Sequence, residues 1–335
     1  MKNKIKVAVL DTGIDKNHDF LRESIVGGIS FKTKNGYIMI TEDYEDKNGH
    51  GTSCSSIIKR EFNNVELFIV KVLDDFGNSN IQVLEEALKF VLNTDVKIVN
   101  LSLSVLGNKS IEDLYSICER LKQKGKIIVC SVKNGFESSY PAQFDNVIGV
   151  RGFVLERESA IWYNKDYRIQ CVMDNNSYLC CDLNNSYKLF GKSNSQSAAK
   201  LTGKIAEILY RFPNINLEDL SEKLEKLSMR NHWTEKDLER SKRFPEIQQY
   251  DKSINYKLVK DLINILKNEL NITESIDDVH DIILFNDYVG LNDNNCFNIL
   301  KKIENNFNLK FDYMSISRYD LISIYSLMHL VTKYM

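Results

Sequence analysis

Apolar residues in this chain fall into short blocks with two distinct periods. Residues 5–10 (Ile-Lys-Val-Ala-Val-Leu) form a run rich in β-branched side chains that closes on Asp11-Thr12-Gly13. That is the pattern of a buried strand ending in a turn. Residues 14–64 are polar and punctuated by glycine, with one strand predicted at 36–40. From residue 65 the pattern becomes regular. A strand is predicted at 65–73 and a helix at 81–92, with Val83, Leu84, Ala87, Leu88 and Val91 on its apolar face. A strand at 96–103, a helix at 111–124 and a strand at 126–132 follow. Strands and helices alternating through short connections predict an α/β fold with a doubly wound, mainly parallel sheet. Sites in such sheets form at the carboxyl ends of the strands.

Between residues 147 and 189 several short strands are expected, among them 167–172 and 178–181. A stretch rich in Ser and Asn, starting at Gly191, then runs into apolar residues at helical spacing: Ala198, Leu201, Ile205, Ile208 and Leu209. This predicts a helix over 196–211 whose first amides are capped by hydroxyl or amide side chains. Phe212-Pro213 ends it, and a helix at 217–227 closes the domain. Residues 229–252 are highly charged, lack a period and contain Pro245, so they read as a linker. Amphipathic helices at 256–269, 296–307 and 318–334 then predict a small all-α domain. The expected organisation is therefore a domain at 1–228, a charged linker at 229–252 and a helical domain at 253–335.

Composition narrows the function classes. The net charge is −2, which gives no electrostatic reason to bind nucleic acid or an anionic membrane surface. No apolar run approaches the roughly 18 residues that would suggest a membrane span. The apolar run near the N-terminus is too short for a secretory signal. Seven cysteines, an odd number without metal-ligand spacing, read as reduced thiols in a cytoplasmic protein.

Four polar segments lie at the ends of predicted elements. Asp11 stands where the first strand leaves the sheet, a place that also suits a turn aspartate bonding its own backbone. His50 sits between two glycines in Asp46-Lys47-Asn48-Gly49-His50-Gly51-Thr52-Ser53, where an imidazole has little packing to do. Asn134 follows the strand at 126–132 in an Asn-Gly turn. Ser193, Ser195 and Ser197 crowd the start of the 196–211 helix, in the positive field of its N-terminus. Each has an ordinary structural reading. The conjunction of an acid, an imidazole, an amide and helix-start serines at the edges of one parallel sheet points to nucleophilic catalysis.

Residues 4–228 resemble the subtilisin-like serine proteases. Val7-Ala8-Val9-Leu10-Asp11-Thr12-Gly13-Ile14 is similar to the family's aspartate motif, and Asn48-Gly49-His50-Gly51-Thr52 to its histidine motif. Asn100-Leu101-Ser102-Leu103-Ser104 resembles the strand lining the substrate cleft, and Cys130-Ser131-Val132-Lys133-Asn134-Gly135 the oxyanion-asparagine segment. The resemblance implies that Ser195 attacks, His50 takes and returns its proton, Asp11 orients His50, and Asn134 donates into the oxyanion hole. Ser102, Leu103 and Ser104 would bind the peptide. Two departures stand out. Ser193-Asn194 replace the Gly-Thr that usually precedes the serine, with Ala199 in place of a proline. Ser104 replaces a glycine of the cleft strand. A first strand beginning by residue 5 leads us to expect an enzyme that folds without the long prodomain of secreted members.

Residues 253–335 resemble an acyl carrier protein. Val289-Gly290-Leu291-Asn292-Asp293-Asn294 precedes a helix ending in Ile303-Glu304-Asn305-Asn306-Phe307. That alignment places Asp293 where the family carries its phosphopantetheine serine, and residues 287–299 contain no serine. A carboxylate cannot accept that group by the usual route. No phosphopantetheine or other cofactor is therefore expected, and the implied role is docking a partner. No loop carries the dense, regularly spaced carboxylates of a calcium site.

The expected function is an intracellular serine endopeptidase of restricted specificity, acting on a peptide or protein and trimming a precursor. The alternatives are a catalytically silent binding protein of the same fold, or a hydrolase or acyltransferase acting on carrier-bound thioesters.

Overall fold

The computed structural model describes residues 3–106, 111–136, 139–245, 255–270, 272 and 283–335. The chain divides into two compact units. The first holds Met1–Asn175, Cys181–Asn185 and Lys192–Arg243, and the second Asn176–Cys180, Ser186–Gly191 and Phe244–Met335.

The first unit is built on a nine-stranded sheet. Its strands are β1 (Ile5–Asp11), β2 (Ile25–Lys34), β3 (Tyr37–Thr41), β4 (Val65–Lys71), β5 (Ile98–Leu101), β6 (Ile127–Ser131), β7 (Ile148–Phe153), β8 (Ile161–Tyr163) and β9 (Cys171–Asp174), in the order β3-β2-β4-β1-β5-β6-β7-β9-β8. All neighbours pair in parallel except the two edge pairs, β2 with β3 and β8 with β9. Strand β1 lies between β4 and β5, so its carboxyl end opens at the centre of the sheet.

Helices α1 (His50–Glu61) and α4 (Asn194–Arg211) pack against each other, and α4 also runs over β5, β6 and β7. Close packing there depends on Gly203, because a Cβ would lie 2.8 Å from the Ile58 carbonyl oxygen and 2.5 Å from Glu61 Cβ. Helices α2 (Ile81–Val91) and α3 (Ile111–Gln123) belong to a separate buried cluster with Ala8, Leu10, Val99, Leu101, Ile128 and Cys130. Residues Val83, Leu84, Ala87, Leu88 and Val91 are the buried face of α2, as their spacing predicts. Helix α5 (Leu217–Leu227) completes the set, started by Asn216, whose side chain accepts from the Asp219 N–H.

The structure differs from the sequence expectations at particular places. Within 14–64 the long strand β2 goes unpredicted because Gly27 and Gly28 interrupt its apolar period. Of the strand expected at 167–172 only its last two residues are extended. Tyr167 and Gln170 instead close a turn through Tyr167 N–H to Asn164 O (3.2 Å) and Asn164 N–H to Gln170 O (2.9 Å). The stretch 229–252, read as a linker from its charge, is described to Pro245, and to Arg243 it packs within the first unit. Trp233 is buried with Trp162, ring centroids 6.0 Å apart, and Arg230 stacks on Trp162 at 4.6 Å. The remainder, 246–252, lies outside the described residues.

The second unit contains helices α6 (Tyr256–Leu270), α7 (Cys296–Phe307) and α8 (Ile324–Tyr334), the last beginning after a separate 3-10 turn at Arg318–Leu321. Ser323 caps α8 by accepting from the Ser326 N–H, which is why the helix expected from 318 starts later. The unit also takes in strand segments, where an all-helical module was expected. Leu179 and Leu189, from the hairpin strands β10 (Tyr178–Asp182) and β11 (Ser186–Phe190), are buried with Leu262, Leu300 and Ile324.

Candidate active site

Parallel pairing on both sides of β1 holds Asp11 at the carboxyl edge of the sheet, and the residue is fully buried. Its Oδ1 accepts the Thr12 N–H at 2.8 Å and lies 2.7 Å from His50 Nδ1. With a carboxylate facing Nδ1, the imidazole proton sits on that nitrogen, which makes Nε2 the acceptor nitrogen of the neutral ring.

His50 begins α1 beside this carboxylate because the first turn of α1 rests on the aspartate turn. Gly51 makes the approach possible, since a Cβ there would collide with the Gly13 carbonyl oxygen. Asp46 ties the two turns together. Its Oδ1 accepts from Thr12 Oγ1 (2.9 Å), Asn48 N–H (2.9 Å) and Gly49 N–H (3.0 Å), and its Oδ2 from Thr52 N–H (3.0 Å) and Thr52 Oγ1 (2.7 Å). Thr12 Oγ1 in turn accepts the Gly51 N–H at 2.9 Å. Burial would raise the Asp46 pKa, but the donors from Gly49, Thr52 and Asn48 outweigh it and hold the carboxyl below its usual range.

Asp46 is not among the candidates that the sequence singles out. The signal was present: an Asx residue just ahead of a helix start, with Gly49 supplying the left-handed turn (φ 91°).

The three helix-start serines separate by partner. Ser193 is the cap of α4, accepting the Gln196 N–H at 3.2 Å, and Ser197 donates to the Met173 carbonyl at 3.4 Å. Ser195 Oγ donates to the Ser102 carbonyl at 3.2 Å, and Ser195 alone of the three lines the cleft that His50 also lines. Asn134, in the turn after β6, reaches the same cleft, and its Oδ1 accepts the Asn194 N–H at 2.9 Å. With Oδ1 engaged, the two N–H bonds of that amide remain as its donors.

Asn194 has a role the sequence did not signal. Besides its backbone bond to Asn134, its Oδ1 accepts the Gly152 N–H (2.8 Å) and its Nδ2 donates to the Val132 carbonyl (2.9 Å). A side-chain amide can hold β6 and β7 to α4 in this way, whereas the threonine usual in the resembled family has a single hydroxyl to offer. Asn100 does similar work one strand over, donating to Ser102 Oγ (2.8 Å) and accepting from Thr202 Oγ1 (2.9 Å).

The cleft, of about 480 Å³, brings together His50, Ser195, Asn134, Ser102, Leu103 and Ser104. Asp11 lies behind His50. The remaining predicted position, Asp293, belongs to the second unit, where its carboxylate pairs with Arg318 Nη1 at 2.5 Å.

The electrostatics centre on His50. Desolvation would lower its pKa, but the Asp11 carboxylate at bonding distance and the neighbouring Cys54 raise it well above the ordinary imidazole value. Cys54, one turn along α1, is buried with Sγ 3.9 Å from His50 Nδ1, and burial pushes its thiol pKa up. Donor atoms of Asp11, His50 and Cys54 all lie within 4.8 Å of one another, the one group among the described residues spaced to hold a metal ion.

An acid behind an imidazole, an amide donor and a hydroxyl at a helix start is an arrangement suited to acyl transfer. No helix among the described residues is long and apolar enough to cross a membrane.

Comparisons with known proteins bear on the family and the fold. The model of the subtilase family matches residues 2–244. The chain is 30% identical over 223 residues to the major intracellular serine protease of Bacillus subtilis (strain 168), spanning 61% of this chain and 68% of that protein. It is 25% identical over 236 residues to the intracellular serine protease of Paenibacillus polymyxa, spanning 65% of this chain and 70% of that one. Among solved structures, sphericase superposes with a TM-score of 0.57 at 21% identity, covering 67% of this chain and 83% of its own, a likeness of fold. The chain belongs to the subtilase family.

Proposed function

We propose that the chain is an intracellular serine endopeptidase that uses Ser195 as nucleophile, His50 as general base and acid, Asp11 to orient His50, and Asn134 as oxyanion donor. The observation that carries this is the 2.7 Å pairing of His50 Nδ1 with Asp11 in the cleft that also receives Ser195 and Asn134. A serine hydroxyl is a weak nucleophile at neutral pH, so a base must take its proton as it attacks the peptide carbonyl. Ser195 Oγ turns from the Ser102 carbonyl toward His50 Nε2, the ring nitrogen that does not face Asp11. The tetrahedral oxyanion then meets the Asn134 amide, which its own bond from Asn194 has already oriented. His50 returns the proton to the leaving amine, and a water repeats the sequence to release the acyl group.

The cytoplasmic assignment is supported by the names of the two bacterial relatives and by seven free cysteines, all buried. We assign the enzyme a processing role on a peptide or protein precursor, with the helical unit docking a partner rather than carrying an acyl group. In support, Asp293 offers a carboxylate already paired with Arg318, not a hydroxyl.

The test is labelling with a fluorophosphonate probe. Wild-type protein should be modified at Ser195, and Ser195→Ala should not. Absence of labelling in the folded wild type, or equal labelling in the variant, would overturn the assignment.

A further inference from the structure

We infer that Lys133 makes this cleft select an acidic residue, Asp or Glu, on the acyl side of the bond that is cut. The inference rests on the protease reading above and names the substrate class for that same site.

Strands β5 and β6 are adjacent and parallel, so the chain segments leaving their carboxyl ends, 102–105 and 131–134, frame a slot that opens beside Ser195. A peptide carbonyl carbon set against Ser195 Oγ, with its oxygen toward Asn134, directs the side chain on its acyl side into that slot. Hydroxyls and apolar groups make up the slot on the 102–105 side, while the 131–134 side carries Lys133, next in the chain to the oxyanion residue.

Among all described residues lining the cleft, Lys133 bears the one permanent charge, and no carboxylate lines it. Among the described residues no ion pair engages Lys133. Its backbone is fixed by the bond from its N–H to Ser139 Oγ (2.9 Å), and its ammonium lies 5.3 Å from the centre of the Phe136 ring. That aromatic contact positions a flexible side chain without neutralising it.

Lys133 is exposed, so a bound carboxylate would meet its ammonium with the modest attraction of a solvent-accessible ion pair. A lysine or arginine at the same substrate position would meet a like charge.

The test is a series of fluorogenic peptides that differ only at the acyl-side residue: Glu, Gln, Leu and Lys. Wild-type enzyme should cleave the Glu peptide with kcat/KM at least about fivefold above the isosteric Gln peptide, the ratio expected of an ion pair worth about 1 kcal/mol. The ratio should shrink as salt rises. Lys133→Gln should bring the Glu/Gln ratio to about one, and Lys133→Glu should invert the order of the Glu and Lys peptides. Fluorophosphonate labelling of each variant reports an intact nucleophile. A wild type that is labelled and cuts Gln or Leu as well as Glu overturns the inference and leaves the protease reading standing. A folded wild type that is neither labelled nor cleaves any peptide overturns both.

Discussion

The backbone N–H of Asn194 donates to the side-chain oxygen of Asn134 at 2.9 Å, joining the residue before the candidate nucleophile to the candidate oxyanion donor. The side chain of the same asparagine fastens Gly152 and Val132, so one residue fixes the helix start with its side chain and the cleft-facing amide with its backbone.

Replacing Asn194 with Ala should therefore affect stability and rate together. The buried Val132 carbonyl and the half-buried Gly152 N–H lose their bonds, the first costing about 1–3 kcal/mol when unsatisfied and the second less. Thermal melting should show the destabilisation. Cleavage should slow by a larger factor than in Asn194→Thr, which restores one hydroxyl. Equal rates for wild type and both variants would exclude a positioning role.

Removing the imidazole's partner should be more damaging than removing the oxyanion donor. Asp11→Asn loses the group that fixes the His50 tautomer, and kcat should fall by about 10⁴. Asn134→Leu should cost roughly 10²–10³. Steady-state kinetics on one peptide, with melting curves to exclude unfolding, separates the two losses.

The pH profile follows from the raised His50 pKa. A base must be neutral to accept a proton, so kcat/KM should climb with pH through a value well above the ordinary 6.5. Stability should run the opposite way. A group whose folded pKa exceeds its unfolded value stabilises fully below the unfolded pKa and loses that contribution as pH rises through the folded one. The melting temperature contributed by His50 should thus decline across the window in which activity rises. Asp11→Asn should move the kinetic midpoint toward acid.

Asp46 predicts an effect at the acid end. Its folded pKa is lowered, so its contribution is present above the unfolded carboxylate pKa and fades as pH falls through the folded value. Asp46→Ala should destabilise the wild type near neutrality, and the difference between the two proteins should narrow in acid. It should also reduce kcat, because the turns carrying Asp11 and His50 lose their shared anchor. A variant with unchanged kcat and melting temperature would refute the anchoring role.

The helical unit carries its own expectation. Incubated with coenzyme A and a phosphopantetheinyl transferase, the protein should keep its mass, since Asp293 presents a carboxylate paired with Arg318. A mass gain matching the prosthetic group would overturn the docking assignment.

Local pattern by itself determined much of the first unit. The buried faces of α2 and α4 follow apolar spacing, and the alternation of strands with helices fixes a parallel sheet, because short crossovers allow little else. Asp11, His50, Asn134 and Ser195 are legible as candidates from their places at strand and helix ends and from the motifs that resemble the family's. Their neighbours were not. The selection of Ser195 over Ser193 and Ser197 by partner, the anchoring by Asp46 and the three-way bonding of Asn194 depend on groups distant in the chain. Such contacts leave no period to read. The same reason hid β2, whose place is decided by pairing with β3 and β4 rather than by its glycine-broken pattern, and kept Trp233 in a stretch whose charge reads as linker. Sequence sets which residues can do the chemistry, and long-range hydrogen bonding and packing decide how they are held.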